Sequence, residues 1–75
     1  MTLNNAIKNK NYIVESINYS DKLYERIITM GIVVNFEIKV VEKSIFNDPL
    51  LININNSYIA ISKYIANMIN IKEKE

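Results

Sequence analysis

The side chains that most often carry bond-making chemistry are missing from this chain, whose 75 residues include no histidine and no cysteine. Nucleophile–imidazole catalysis and thiolate or imidazole metal sites therefore have no ligands, and a metal could be held only by carboxylates and carbonyls. Two carboxylates stand where their spacing could matter. Asp48 lies in Ile45-Phe46-Asn47-Asp48-Pro49, where Asn-Asp-Pro is turn chemistry, so its expected task is a hydrogen bond within its own turn. Asp21 follows Ser20 at a helix start, where a negative charge suits the positive end of the helix dipole. Gly31 is the only glycine, so no glycine-rich phosphate loop can form. Tyr12, Tyr19, Tyr24, Tyr58 and Tyr64 could in principle stack on bases. They are scattered over different segments without adjacent cations, and packing at the edge of the core is the expected role. The sequence thus predicts no catalytic residue, no cofactor site and no metal site, and leaves protein–protein contact as the available chemistry.

Composition narrows the class further. Lys8, Lys10, Lys22, Arg26, Lys39, Lys43 and Lys63 alternate with acids or apolar residues, and the net charge is +1. Phosphate binding needs several cations on one face, so no nucleic-acid partner is expected. The amino terminus, Met1-Thr2-Leu3-Asn4-Asn5, lacks the charged-then-apolar plan of a secretion signal. The longest apolar stretch, around Ile27 to Val34, falls far short of the roughly 20 residues that span a bilayer. A cytoplasmic chain without direct membrane insertion is expected. At this length the chain forms one domain, 1–75, burying about 60–65% of its unfolded surface, and the charged tail 72–75 is expected to fray.

The elements that would position any contact surface follow from hydrophobic period. Ile13, Val14 and Ile17 suggest a first strand from Tyr12 to Ile17, with imperfect alternation. Ser20 is the expected N-cap of a helix running from about Asp21 to Met30. Leu23, Ile27 and Met30, at i, i+4 and i+7, form its buried face, and Gly31 ends it. Tyr24 and Ile28 are offset from that face and are the candidate partner-binding pair. Phe36, Ile38 and Val40 then alternate with Glu37, Lys39 and Val41 as a second strand whose charges face water. After the Asn-Asp-Pro turn, Leu50, Ile52 and Ile54 alternate in a third. Asn55-Asn56-Ser57 reads as a tight hairpin into a fourth strand through Ile61. Ser62 can cap a short helical turn through Ala66, and Met68 to Ile71 returns to a strand. Five short strands around one core imply a mainly β fold. The expected form is a small SH3-like, partly closed barrel with one α-helix between strands 1 and 2 and a short C-terminal helical turn.

Two segments carry a more specific signal. Leu23-Tyr24-Glu25-Arg26-Ile27-Ile28-Thr29-Met30-Gly31-Ile32 resembles the helix motif of the FeoA family, ferrous iron transport protein A. In register with it, Ile45-Phe46-Asn47-Asp48-Pro49-Leu50 resembles that family's turn. Glu37 to Val41 and Tyr58 to Ile61 match its strands, and Thr2-Leu3 matches a common start. Where the family has glycine, this chain has Asn35, Asn47 and Asn56. Asparagine best replaces glycine at positive φ, so these three are expected to hold glycine-like turns. Ser62 stands where the family usually has arginine.

The resemblance, and not the composition, implies a function. FeoA-like proteins are cytosolic accessories of the ferrous-iron transporter FeoB, so the implied partner is the cytosolic part of an FeoB-type transporter. Self-association stays open. The family is associated with transition metals, and a similar domain ends metal-responsive repressors of the diphtheria-toxin-repressor type. A stand-alone metal-responsive regulatory module is therefore the alternative function.

Overall fold

A computed structural model describes all 75 residues apart from the side chain of Asn47. Five strands form one antiparallel sheet: β1 (Asn11–Ile17), β2 (Glu37–Lys43), β3 (Leu50–Ile54), β4 (Ser57–Ile61) and β5 (Ile69–Glu73), in the order β4-β3-β2-β1-β5. Helix α1 (Tyr24–Thr29) lies between β1 and β2, and the single turn α2 (Lys63–Ala66) joins β4 to β5. A 3-10 turn at Leu3–Asn5 precedes β1 and another at Ile45–Asn47 follows β2. Every strand sends apolar side chains into one core, including Val14, Val40, Ile52, Ile61 and Ile69, with Ile27 of α1 joining them. The sheet is therefore a partly open barrel around a single core, as the alternating pattern predicts.

Why the alternation of β1 is imperfect is now clear. Its register against β5 shifts between Val14 and Ser16, and this bulge leaves Glu15 and Ser16 both exposed. One extra residue returns the strand to phase, so Tyr12, Val14 and Ile17 all point inward. A second bulge lies between Val40 and Glu42 in β2. Phe36, expected on the inner face of the second strand, instead precedes β2 and is 38% exposed.

The helix is shorter than its apolar period suggests. Ser20 does not cap it: the Ser20 hydroxyl donates to Asn18 Oδ1 at 2.7 Å, so it is committed to the preceding turn. Asp21 Oδ1 instead accepts the Leu23 backbone N–H at 2.8 Å, forming an Asx turn that delays the helix to Tyr24. The C-terminus behaves as expected. Gly31 N–H reaches Ile28 C=O at 2.9 Å and Ile32 N–H reaches Ile27 C=O at 3.4 Å, the paired bonds of a Schellman motif. Gly31 supplies the required left-handed residue at φ 97°. Ile32 and Ile27 are both fully buried, which closes the helix onto the core.

Asparagine does stand in for glycine here. Asn35 (φ 76°) and Asn56 (φ 63°) are left-handed, and so are Asn55 and Asn9. At the third expected position, whose side chain lies outside what the structure describes, the left-handed residue identified is the neighbouring Phe46, at φ 63°. Asn55 and Asn56, both at positive φ, form the two-residue turn between the paired Ile54 and Ser57. Asn56→Gly is expected to leave stability within a few tenths of a kcal/mol, whereas Asn56→Val should cost about 1–2 kcal/mol in strain. Denaturant melts of the two variants check this, and equal midpoints would contradict it.

The carboxyl-terminal tail departs from expectation. Instead of fraying from Lys72, β5 continues through Glu73, with Lys72 opposite Ile13 and Glu73 opposite Tyr12. Exposed ion pairs tie it down, Lys10 with Glu73 and Lys74 with Glu37 at 2.6 Å. Lys8 pairs likewise with Glu42 at 3.0 Å. Their charges are mutually favourable: hydrogen bonding to Lys10 lowers the Glu73 pKa, and to Lys8 lowers that of Glu42.

Candidate contact surface

Both carboxylates singled out by sequence converge on the same element. Asp48 reaches beyond its own turn: its Oδ1 accepts the Lys63 backbone N–H at 3.2 Å, at the start of α2. Ser62 Oγ accepts the Ile65 N–H of the same turn at 3.1 Å, the cap expected from sequence. Asp21 Oδ2 accepts the Tyr64 hydroxyl at 2.9 Å while its other oxygen holds Leu23. The first turn of α2 is thus tied on one side to the segment leading into α1 and on the other to the turn after β2. A four-residue helix has little stability of its own, so these side chains supply partners for backbone groups that would otherwise be orphaned.

The segments tied together here carry exposed large side chains, two of them tyrosines expected to pack at the edge of the core. Tyr64 is 59% exposed at the junction. The two segments tied to it carry Tyr19, 81% exposed, and Ile45 and Phe46, 79% and 85% exposed. Two large apolar residues in a turn with no strand alternation were the available signal, because nothing in such a turn can bury them. Phe46 also sits in the left-handed region, unusual for a bulky side chain.

The pair proposed from sequence lies differently. Tyr24 and Ile28 share one side of α1, four residues apart, but both are half-buried and pack against the core. Ile27 is the fully buried residue of the helix, and Leu23 and Met30 flank it as half-buried neighbours. Removing Tyr24 therefore costs some packing.

Tyr64 gives the junction a pH signature. Its hydroxyl donates to Asp21, and that hydrogen bond, reinforced by the carboxylate charge, raises its pKa above the ordinary tyrosine value. A raised folded pKa means stabilisation that is complete below the unfolded value, about 10, and lost as pH rises through the folded one. Wild type should therefore melt above Tyr64→Phe at neutral pH, and the gap should close on the alkaline side. A gap unchanged between neutral and strongly alkaline pH would contradict this role.

Among the described residues no three carboxylates come together to hold a metal ion. Asp21 and Asp48 each accept hydrogen bonds from backbone or hydroxyl donors. No helix among the described residues is long and apolar enough to cross a membrane.

Comparison with known proteins agrees with this architecture. The FeoA domain model matches residues 1–73. A Helicobacter pylori (strain J99) protein provisionally named Fe(2+) transport protein A is 36% identical over 74 residues, covering 97% of this chain and 95% of that one. The solution structure of iron(II) transport protein A from Clostridium thermocellum superposes with a TM-score of 0.90 at 26% identity, over 97% of this chain; this chain spans 45% of that one. The zinc-complexed FeoA of Stenotrophomonas maltophilia, described as a prokaryotic SH3 domain protein, superposes with a TM-score of 0.83 at 24% identity, covering 96% of this chain and 89% of that one. The mainly β, SH3-like fold follows from that likeness. The same fold recurs in a manganese-dependent transcriptional repressor, with a TM-score of 0.83 at 16% identity over 92% of this chain and 39% of that one. With a domain model matched almost end to end and a relative of this similarity over nearly its whole length, the chain belongs to the FeoA domain family.

Proposed function

We propose that this protein is a cytoplasmic accessory of ferrous iron transport that acts by contact with the cytosolic part of an FeoB-type transporter. The observation that carries the proposal is the end-to-end relationship to the Helicobacter pylori Fe(2+) transport protein. Contact rather than catalysis is the mechanism because the chain has no histidine or cysteine, and Asp21 and Asp48 are spent on structure. A contact surface needs exposed apolar anchors. Phe46 and Ile45 supply them at the turn tied to α2, and Tyr24 with Ile28 offers a second, half-buried pair on α1. Docking would shift the transporter between conformations only to the extent that the two conformations bind it differently. Likeness to the repressor extends to the fold alone and does not favour the regulatory-module reading.

Iron uptake tests the proposal. Cells lacking the native protein should take up less or differently regulated ferrous iron, and the wild-type chain should restore the normal rate. Phe46→Ala should restore it incompletely while keeping its thermal melt, because an 85% exposed side chain contributes little to the core. Normal uptake in the absence of the protein would overturn the function. Full restoration by Phe46→Ala would remove that residue from the contact surface.

A further inference from the structure

The two edges of the sheet are finished differently. On β5, the amino-terminal segment covers part of the outer edge: Thr2 bridges Asn70, and the Ile71 N–H donates to Met1 C=O at 2.8 Å. Its end also carries Lys72 and Glu73. Natural edges are commonly protected by such cover, by charge, by proline or by bulges. Edge strand β4 has none of these. Its sequence, Ser57-Tyr58-Ile59-Ala60-Ile61, contains no charge and no proline, and its pairing with β3 is regular from end to end.

The hairpin turn fixes which backbone groups of β4 face outward. With a two-residue turn at Asn55-Asn56, Ile54 and Ser57 exchange both hydrogen bonds, and so do the pairs two and four residues further on. Ser57, Ile59 and Ile61 therefore spend their N–H and C=O groups on β3. Tyr58 and Ala60 turn theirs away from it, and among the described residues these groups have no backbone partner. Both residues are exposed, Tyr58 at 69%.

We propose that β4 pairs antiparallel with β4 of a second copy of this chain, about a two-fold axis passing by Ile59. In that register Tyr58 of each copy lies opposite Ala60 of the other. Each such pair exchanges two N–H···O=C bonds, four in all, so all the outward-facing groups of Tyr58 and Ala60 are satisfied. Side chains match as well as backbone. The large Tyr58 ring meets the small Ala60 on the outer face. Ile59, half-buried in one copy, meets its own equivalent on the inner face in the closer, non-hydrogen-bonded type of pair. No charges face one another within the paired strands, so a second copy meets no like-charge repulsion there. A shift of the axis to Tyr58 would keep only one exchanged pair within β4 and bring two tyrosines face to face. Two five-residue strands bury little surface, below the roughly 1,200 Å² at which stable interfaces begin, so the dimer is concentration-dependent rather than obligate. This proposal is independent of the iron-transport reading.

Sedimentation and amide chemical-shift titrations of the full chain, from micromolar to millimolar concentration, test it. The expected result is reversible dimerisation, with the largest amide shifts at Tyr58 and Ala60 and a cross-copy contact between Ile59 Hα protons. A chemically synthesised chain with N-methylated Ala60 removes two of the four bonds without changing any side chain. Its dimerisation should be weaker by at least about tenfold, with its melt close to that of the unmodified chain because that N–H does not face β3. A chain that stays monomeric at millimolar concentration, a dimer whose shifts map to another face, or N-methylation without effect would each overturn the proposal. The unmodified chain's shift map decides the matter even if the modified chain folds poorly.

Discussion

Ile27→Ala is expected to destabilise the fold by about 2–5 kcal/mol, the usual cost of deleting most of a large aliphatic side chain from a packed core. Ile27 is the one fully buried residue of α1, and its carbonyl accepts the Ile32 N–H that closes the helix. The helix spans only six residues and has no side-chain cap, so it gains little from its own hydrogen bonds and is held by packing. A domain of this size is stable by only about 0.05–0.15 kcal/mol per residue, so the loss consumes much of its total. Urea unfolding should show a large fall in midpoint with little change in slope. A loss below about 1 kcal/mol would mean that α1 is not anchored through Ile27, because such a cost belongs to surface or readily relaxed sites.

Tyr12→Phe is expected to cost about 1–3 kcal/mol although it changes a single atom. The Tyr12 ring is 1% exposed, and its hydroxyl oxygen accepts the Ile7 backbone N–H at 2.9 Å. That bond holds the amino-terminal segment, whose Leu3 and Ala6 are buried in the same core, against β1. Phenylalanine fills the ring's space but leaves the Ile7 N–H without its partner. A fall of about 4–8 °C in melting temperature per kcal/mol is expected for a domain of this length. Faster hydrogen exchange at Ile7 should accompany it. An unchanged melt would mean that water or another acceptor replaces the hydroxyl.

The barrel was legible because its strands keep the two-residue period and its turns use residues tolerant of positive φ. Leu50, Ile52 and Ile54 are buried in β3 as their spacing requires, and Asn55-Asn56 makes the hairpin expected of it. Ser62 caps α2 through its hydroxyl, again as read. The start of α1 was misread because Ser20 and Asp21 both suit a helix start. Neither caps α1, because Asn18 claims the Ser20 hydroxyl from two residues upstream and Asp21 closes its own turn onto Leu23. The contact of Asp48 with Lys63 spans 15 residues and depends on how β3 and β4 fold back, so no local pattern reveals it. The tail was misread for a similar reason. Lys72 and Glu73 look solvated in isolation, whereas β1 offers them a strand to pair with and Lys10 offers a counter-charge. The proposed contact surface was the least legible feature. A helical period shows which residues can share a face, yet only the packed core shows that Tyr24 and Ile28 are half covered while Ile45 and Phe46 stand clear.

The most direct test of the central claim is titration of the purified wild-type chain into the purified cytosolic part of its FeoB-type transporter, at physiological salt. The account predicts saturable binding, weakened by Phe46→Ala, with no reaction catalysed by this chain alone. Absence of binding at concentrations where both proteins are folded would contradict it.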